Sequence, residues 1–188
     1  MKAAKIIACV FVTLAILAAL SVVGYFVYTF VRNGQKSFYL SYGDARIGAG
    51  TNEIELQANT TAFFTGRTIA GVGNENTQIE NYTVSVVPTK KLASTVRYRA
   101  GDDNEIYIAA DTDFSKTFKL AKYGATFSVF VPSDVDLKAA LSAALGKDVD
   151  EISDVPSAKD AYFYIKVVYE AENATILIPL RLTLNRTV

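Results

Sequence analysis

The chain contains no histidine, no tryptophan and a single cysteine, Cys9, among its 188 residues. Histidine is the commonest general base and a frequent zinc ligand, so its absence excludes the usual serine triad and ordinary zinc sites. Cys9 lies inside an apolar N-terminal run, so the rest of the chain has no thiol chemistry and no disulfide. We therefore expect a protein that is not an enzyme and that holds no cofactor.

An excess of charge of either sign is also missing, because 19 basic residues balance 19 acidic ones. Nucleic-acid binding requires a basic stripe, so no nucleic-acid partner is expected. Two stretches, RIGAGTNEI (46–54) and TIAGVGNEN (68–76), each contain Gly-x-Gly. Neither has a third glycine or the Gly-Lys-Ser/Thr of a phosphate-binding loop. They indicate turns or bulges, and no nucleotide partner is expected.

One long hydrophobic run is present, from Ile6 to Val31, and it contains no charged residue. A helix needs about 20 residues to cross the hydrocarbon core of a bilayer. A secretory signal has a shorter apolar region of about 7–15 residues. Cleavage near Ser21 would leave the apolar residues 22–31 at the start of the mature chain. The run therefore predicts an uncleaved transmembrane helix whose partner is the lipid bilayer, with a cleaved signal as the alternative.

The end of this run has the composition of a membrane–water interface, where aromatic rings collect beside basic residues. The residues predicted to lie there are Tyr25, Phe26, Tyr28, Phe30 and Arg32. Lys2, Lys5 and the amino terminus give the N-terminal side a small excess of positive charge, which keeps that side cytoplasmic. We predict a cytoplasmic segment (1–5), a transmembrane helix (6–31), a juxtamembrane linker (32–37) and an extracytoplasmic domain (38–188), all at the cell membrane.

Beyond position 37 the dominant hydrophobic period is two, which is typical of half-buried strands. The strand-like runs are 38–42, 53–58, 82–87, 95–100, 105–110, 125–131, 161–169 and 175–184. Gly, Asn and Asp separate them, and 95–100 with 105–110 should form a hairpin. The chain is thus predicted to be mainly β, an antiparallel immunoglobulin-like β-sandwich. The likeness is one of architecture, since the cysteine and tryptophan partners of such domains are absent.

The last two runs, 161–169 and 175–184, predict a hairpin around the polar turn EAENA. Its second strand places five aliphatic residues on one face: Ile176, Ile178, Leu180, Leu182 and Leu184. Pro179 has no N–H to donate to a neighbouring strand. We therefore expect this strand to lie at a sheet edge or to carry a bulge at that point.

One segment, VPSDVDLKAALSAALGK, changes to a helical period. Ser133 is predicted to be the N-cap and Gly146 to end the helix in the left-handed conformation. The pattern predicts one inserted short α-helix, at about 134–145, between two strands. Its small apolar face is more typical of core packing than of a docking surface.

Carboxylates gather in one part of the chain, and calcium favours such oxygen ligands. The candidate ligands are Asp102, Asp103, Glu105, Asp111 and Asp113. Turn chemistry alone also favours aspartate at these places. We prefer solvated turns and keep calcium as the alternative.

These observations favour a binding or structural module, a single-pass membrane protein with a protein partner at the cell surface. It could serve as a subunit of an envelope-associated complex. Two alternatives remain. One is a carboxylate-dependent hydrolase of cell-surface glycan, which needs two acidic side chains and no histidine. The other is a soluble secreted ligand, released by cleavage near Ser21.

Overall fold

The computed structural model describes Ser21 and residues 37–69, 76–102, 104–156 and 160–186. The chain divides into two compact units, Met1–Lys36 and Ser37–Val188. No helix within the described residues is long and apolar enough to cross a membrane. The predicted span, Ile6 to Val31, lies outside those residues except for Ser21, so the transmembrane helix stays a prediction.

The second unit is built mainly from strands. In chain order they are β1 (Phe38–Tyr42), β2 (Ala45–Ile47), β3 (Gly50–Thr51), β4 (Thr60–Ile69), β5 (Asn76–Gln78), β6 (Thr83–Pro88), β7 (Arg97–Arg99), β8 (Ile106–Tyr107), β9 (Ala121–Tyr123), β10 (Thr126–Val131), β11 (Asp134–Asp136), β12 (Glu151–Ser153), β13 (Asp160–Tyr169) and β14 (Ala174–Asn185). The described helices are α1 (Lys90–Thr95) and α2 (Leu137–Leu145), with a 3-10 turn at Glu170–Glu172.

These strands form three sheets. A six-stranded sheet has the order β2-β1-β4-β10-β9, with β5 also paired to β4. A five-stranded sheet has the order β11-β14-β13-β6, with β3 also paired to β14, and β12-β7-β8 make a three-stranded sheet. Among the described strands, pairing is antiparallel except where β3 and β11 each run parallel to β14. The prediction of a mainly β chain with antiparallel sheets is confirmed, and the arrangement is consistent with a β-sandwich.

The core lies between the inner faces of the two larger sheets. Phe64 and Phe127, from adjacent strands of the six-stranded sheet, stack with ring centroids 4.9 Å apart. From the connection that follows α1, Phe114 and Phe118 meet Phe163 of the five-stranded sheet edge-on at 4.9 and 5.0 Å. All five rings are fully buried. Burial of these rings, together with the aliphatic residues around them, stabilises the fold.

The C-terminal hairpin confirms its prediction, since β13 and β14 pair along their length on either side of the 3-10 turn. The alternating aliphatic residues of β14 are at most 1% exposed. On its other side β14 pairs with β3 at residues 176–177 and with β11 at 183–185. Pro179 lies in the gap between these two partners, where the described chain supplies no strand. Its missing N–H therefore removes no ladder bond on that side. The prediction of an edge strand is wrong for β14 as a whole, because β14 has partners on both sides, and the register shift of the hairpin lies in β13 between Ala161 and Phe163.

One predicted strand is wrong, and seven of the described strands, β2, β3, β4, β5, β9, β11 and β12, were not predicted. Residues 53–58 form no strand: this segment crosses from the five-stranded sheet, where Asn52 N donates to Leu177 O, to the six-stranded sheet, where Asn59 N donates to Val131 O. Ile54 and Leu56 pack against the core on the way, which produces a period of two without a ladder. The longest strand that was not predicted is β4, in which the adjacent aromatic residues Phe63 and Phe64 hide the alternation.

The helix predicted at about 134–145 begins later, because residues 134–136 are held extended as β11 against β14. Its N-cap is Asp136, whose carboxylate accepts a hydrogen bond from Ala139 N at 3.1 Å. The prediction of Ser133 as the cap is wrong, and Ser133 Oγ contacts Asp134 instead at 3.3 Å. Gly146 ends the helix with φ of +69°, as predicted, a conformation that favours glycine.

The prediction of a single inserted helix is also wrong, because α1 is a second one. Thr89 caps it, its side chain accepting from Leu92 N at 3.3 Å, and Leu92 is fully buried. A helix of six residues is too short to show a helical period in the sequence.

The strand directions define two ends of the sandwich. Phe38 pairs with Thr68 and stacks on Tyr169 at 4.7 Å, so the chain enters the domain at the end where β4 finishes and β13 turns. At the opposite end, β6 and β10 finish and two long connections, 89–120 and 132–159, begin. Strands β7 and β12 of these connections pair with each other. We call α1, β7, β8 and β12 the insertion tip.

Candidate functional site

The insertion tip exposes apolar side chains on a strand edge. Ile106 and Tyr107 of β8 are 43% and 56% exposed. Ile108 N donates to Val96 O at 3.4 Å, so alternate residues of this segment direct their backbone groups toward β7. The N–H and C=O of Tyr107 therefore point away from β7, toward an edge that carries no strand in the described chain. Such an edge is a template for pairing with another chain.

Ion pairs hold this edge strand to the rest of the tip. The Arg97 guanidinium lies 2.8 Å from Glu105 and 3.2 Å from Asp154, and its Cζ lies 5.9 Å from the centre of the Tyr107 ring. The hydrogen bond to Asp154 raises the pKa of Arg97 above its ordinary value, with a further contribution from Glu105. All these side chains are more than a third exposed, so the pairs set geometry and add little stability.

A polar cleft of about 640 Å³ adjoins the edge. Its lining residues are Arg99, Gly101, Asp102, Asn104, Glu105, Asp150 and Glu151. Arg99 pairs with Glu151 across the strands at 2.6 Å, and Asp150 accepts from Gly101 N at 2.5 Å. Every carboxylate in the cleft is solvent-exposed.

The residues predicted as calcium ligands are spread over this region. Asp102 and Glu105 line the cleft, whereas Asp103 lies outside the described residues. Asp111 is exposed, and Asp113 accepts from Ser115 N at 2.9 Å and from Ser115 Oγ at 2.5 Å. Over the described part of the chain, no three His, Cys, Asp or Glu side chains are grouped closely enough to hold a metal ion. The hydrogen bonds of Asp113 to Ser115 stabilise the turn in which both residues lie.

The predicted membrane-interface residues lie outside the described part of the chain. They are Tyr25, Phe26, Tyr28, Phe30 and Arg32. Their position at a bilayer surface stays a prediction.

A second exposed surface, on the six-stranded sheet, was missed by sequence reasoning. Phe63 of β4 is 62% exposed and Tyr123 of β9 is 73% exposed. Neither strand was predicted, so neither ring could be assigned to a face. The signal that could have found Phe63 is the run Ala62-Phe63-Phe64, where two adjacent aromatic residues cannot both face one core.

The chain was compared with protein-family models, with curated proteins and with solved structures. None of the three comparisons found a match.

Proposed function

We propose that this chain is a membrane-anchored binding module and not an enzyme. Residues Ile6 to Val31 anchor it in the cell membrane with the N-terminus in the cytoplasm. The extracytoplasmic domain is an immunoglobulin-like β-sandwich that binds a protein partner at the cell surface, as a subunit of an envelope-associated complex. The observation that carries this proposal is the exposed apolar edge of β8 at the insertion tip.

The strand order supports the immunoglobulin-like architecture. Its two sheets have the orders A-B-E-D and C-F-G. Here β1-β4-β10-β9 lie in one sheet and β6-β13-β14 lie in the other, in the same chain order. In this correspondence the two connections that build the tip are those between strands C and D and between strands E and F. Loops held by a rigid sandwich are common sites of recognition.

The edge of β8 supports binding by strand addition. A partner that lays an extended segment along β8 would bond to the outward N–H and C=O of Tyr107 and cover its ring and the side chain of Ile106. Ser37, where the domain begins, lies at the opposite end of the sandwich.

A photo-crosslinking amino acid at position 107 tests this proposal in the native membrane, using the full-length chain with a C-terminal tag. We expect one dominant protein adduct that is lost when Ile106→Asp is added. The matched control carries the probe at Asn81, which is exposed on the connection before β6. Absence of an adduct at 107, or the same adduct at 81, would contradict binding at the tip.

The same sample separates the alternatives. An intact N-terminal peptide containing Lys2 and Lys5 supports the anchor, whereas a mature chain that begins near Val22 indicates a secreted ligand. Hydrolysis of cell-surface glycan by the purified chain, if it is lost on Glu105→Gln, would favour the hydrolase over the binding module.

A further inference from the structure

The outer face of the β12-β7-β8 sheet is the surface that a strand added to β8 would extend. Tyr98, at the centre of β7, is buried and marks the inner face, so its neighbour Arg97 faces outward. Tyr107 is in register with Arg97 and therefore lies on the outer face, as does Glu105 two residues before it. Ile106 lies between them and faces the other way. One side of the free edge is thus apolar, and the other side is close to charged residues.

The charges on and beside this outer face are mostly negative. Within the described residues, five carboxylates and two guanidinium groups lie there. The carboxylates are those of Asp102, Glu105, Asp150, Glu151 and Asp154, and the guanidinium groups are those of Arg97 and Arg99. Arg97 lies 2.8 Å from Glu105 and 3.2 Å from Asp154. Arg99 lies 2.6 Å from Glu151. Both guanidinium groups are therefore already paired, and the cleft beside the edge keeps an excess of negative charge.

The lysines of the insertion tip do not neutralise this excess. Both belong to the first turn of α1, and Lys91 already lies 2.5 Å from Asp160. The end of α1 next to β8 is neutral, because Val96 follows the helix and its C=O accepts from Ile108 N. Lys147, which precedes β12, does not line the cleft. A segment that pairs with β8 therefore meets a negative surface.

We propose that the segment that pairs with β8 is basic: an extended stretch of the partner protein with lysine or arginine on the face of Glu105 and an apolar residue on the face of Ile106. This inference rests on the proposed function, in which the tip binds a protein by strand addition. Side chains directly opposite one another on paired strands lie about 5 Å apart on the same face. A cation opposite Glu105 thus reaches that carboxylate and the mouth of the cleft, while its apolar neighbour covers Ile106.

Charge decides which extended segments this edge accepts. Backbone hydrogen bonds to Tyr107 give affinity for extended segments in general, and side chains give the selectivity. An acidic segment would place like charges opposite Glu105, which destabilises a strand pair, whereas a basic segment forms a pair of opposite charges. Exposed charges act mainly on selectivity and on the association rate. They are screened beyond about 10 Å at 0.1 M salt, so the selectivity should fall as salt is added.

Three short synthetic peptides test this inference against the purified full-length chain in neutral detergent, with a photo-crosslinking amino acid at position 107. Each peptide alternates valine with lysine, glutamine or glutamate, so that all three can pair as strands and differ in charge. We expect the lysine peptide to give about ten times the adduct of the glutamate peptide, with the glutamine peptide between them. Raising NaCl from about 0.05 M to about 0.5 M should remove most of this difference.

Variants at Glu105 locate the charge that is responsible. Glu105→Gln should lower the yield of the lysine-peptide adduct about threefold and leave the glutamine peptide nearly unchanged, because one opposite-charge pair is lost. Glu105→Lys should shift the preference toward the glutamate peptide. The matched controls are Glu170→Gln and Glu170→Lys, on the exposed 3-10 turn at the opposite end of the sandwich, and they should change none of the yields.

Equal yields from the three peptides, or an equal loss on Glu170→Gln, would overturn the basic segment and leave strand addition at the tip intact. In native membranes, tandem mass spectrometry of the adduct at position 107 locates the linked segment of the partner. A lysine or arginine within about two residues of the link supports the inference, since these are the positions that reach Glu105. A linked segment without a basic residue overturns it. Absence of any native adduct would instead contradict the proposed function, so the two failures are distinct.

Discussion

The two larger sheets turn different outer faces to solvent. On the five-stranded sheet, Lys166 lies in the middle row between Ser85 and Leu177, and all three are half-buried. A lysine stem can cover apolar neighbours while its charge stays in water. On the six-stranded sheet, Phe63 and Tyr123 project from the outer face, and the charged outward residue of the central strand β4 is Arg67, which pairs with Tyr39 of β1.

This difference indicates on which outer face the apolar side chains are covered by their neighbours within the domain. The five-stranded sheet has apolar outer residues, such as Val87, Tyr164 and Val168, yet none of these three is more than half-exposed. The six-stranded sheet has more polar outer residues and two strongly exposed rings. The outer faces of the two sheets therefore do not differ by their total hydrophobicity. They differ in where charged residues lie and in how far the aromatic side chains project into solvent.

The largest effect is expected from disrupting the six-stranded sheet, which carries the exposed Phe63 and Tyr123, at Gly66 of β4. A Cβ at this position would lie 2.4 Å from Tyr82 Cε1 and 3.0 Å from Ile79 O. Gly66→Ala should therefore lower the free energy of unfolding by about 2–3 kcal/mol, because the buried ring must shift. Denaturant unfolding measures this. Gly48→Ala, where no atom lies within 4 Å of the new Cβ, is the control and should change little.

The second prediction concerns Tyr82, which links the six-stranded sheet to the start of β6. Its hydroxyl donates to Ala125 O at 2.8 Å, and burial raises its pKa from 10.0 to about 12. The neutral form is thus favoured by folding, so its contribution is complete below pH 10 and is lost as pH rises through 12. Tyr82→Phe should cost about 1 kcal/mol near neutrality.

Unfolding curves between pH 8 and pH 12 check this, since the variant should lose less stability over that interval than the original chain. Tyr164→Phe, on the outer face of the five-stranded sheet, serves as the control. A parallel decline for the original chain and for Tyr82→Phe would show that other groups cause the alkaline loss.

The smallest effect on stability is expected at the N-cap of α2, the helix that follows β11. Asp136→Ala removes the acceptor for Ala139 N and should lower stability by about 0.5–1 kcal/mol. Ser133→Ala is the matched control and should have less effect, because Ser133 is not the cap. Thermal unfolding of both variants measures the difference. A larger loss of stability for Ser133→Ala than for Asp136→Ala would identify Ser133 as the N-cap.

The local sequence pattern was enough to predict those elements whose conformation is set by residues within the element itself. The C-terminal hairpin follows from five alternating aliphatic residues and a polar turn, and the end of α2 follows from Gly146. Its beginning could not be found in this way. Both Ser133 and Asp136 are good caps, and only pairing of β11 with a strand nearly fifty residues later decides between them.

The candidate sites were less accessible to sequence reasoning than the fold. Tyr107 was recognised as part of a hairpin, but its exposure depends on β8 being the last strand of a small sheet. The pairing of β7 with β12 joins two insertions that are far apart in the chain. No spacing rule connects them, because their contact exists only when the sandwich brings both connections to one end.

The sequence by itself determined the absence of histidine chemistry, the long apolar run at the N-terminus and the dominance of strands, because composition and period are properties of the chain. Tertiary structure alone decided which residues with strand-like spacing cross between sheets and which aromatic rings face outward. A face is made by strands that are adjacent in space, and adjacency of β4, β10 and β9 follows from pairing across the whole domain rather than from any local pattern.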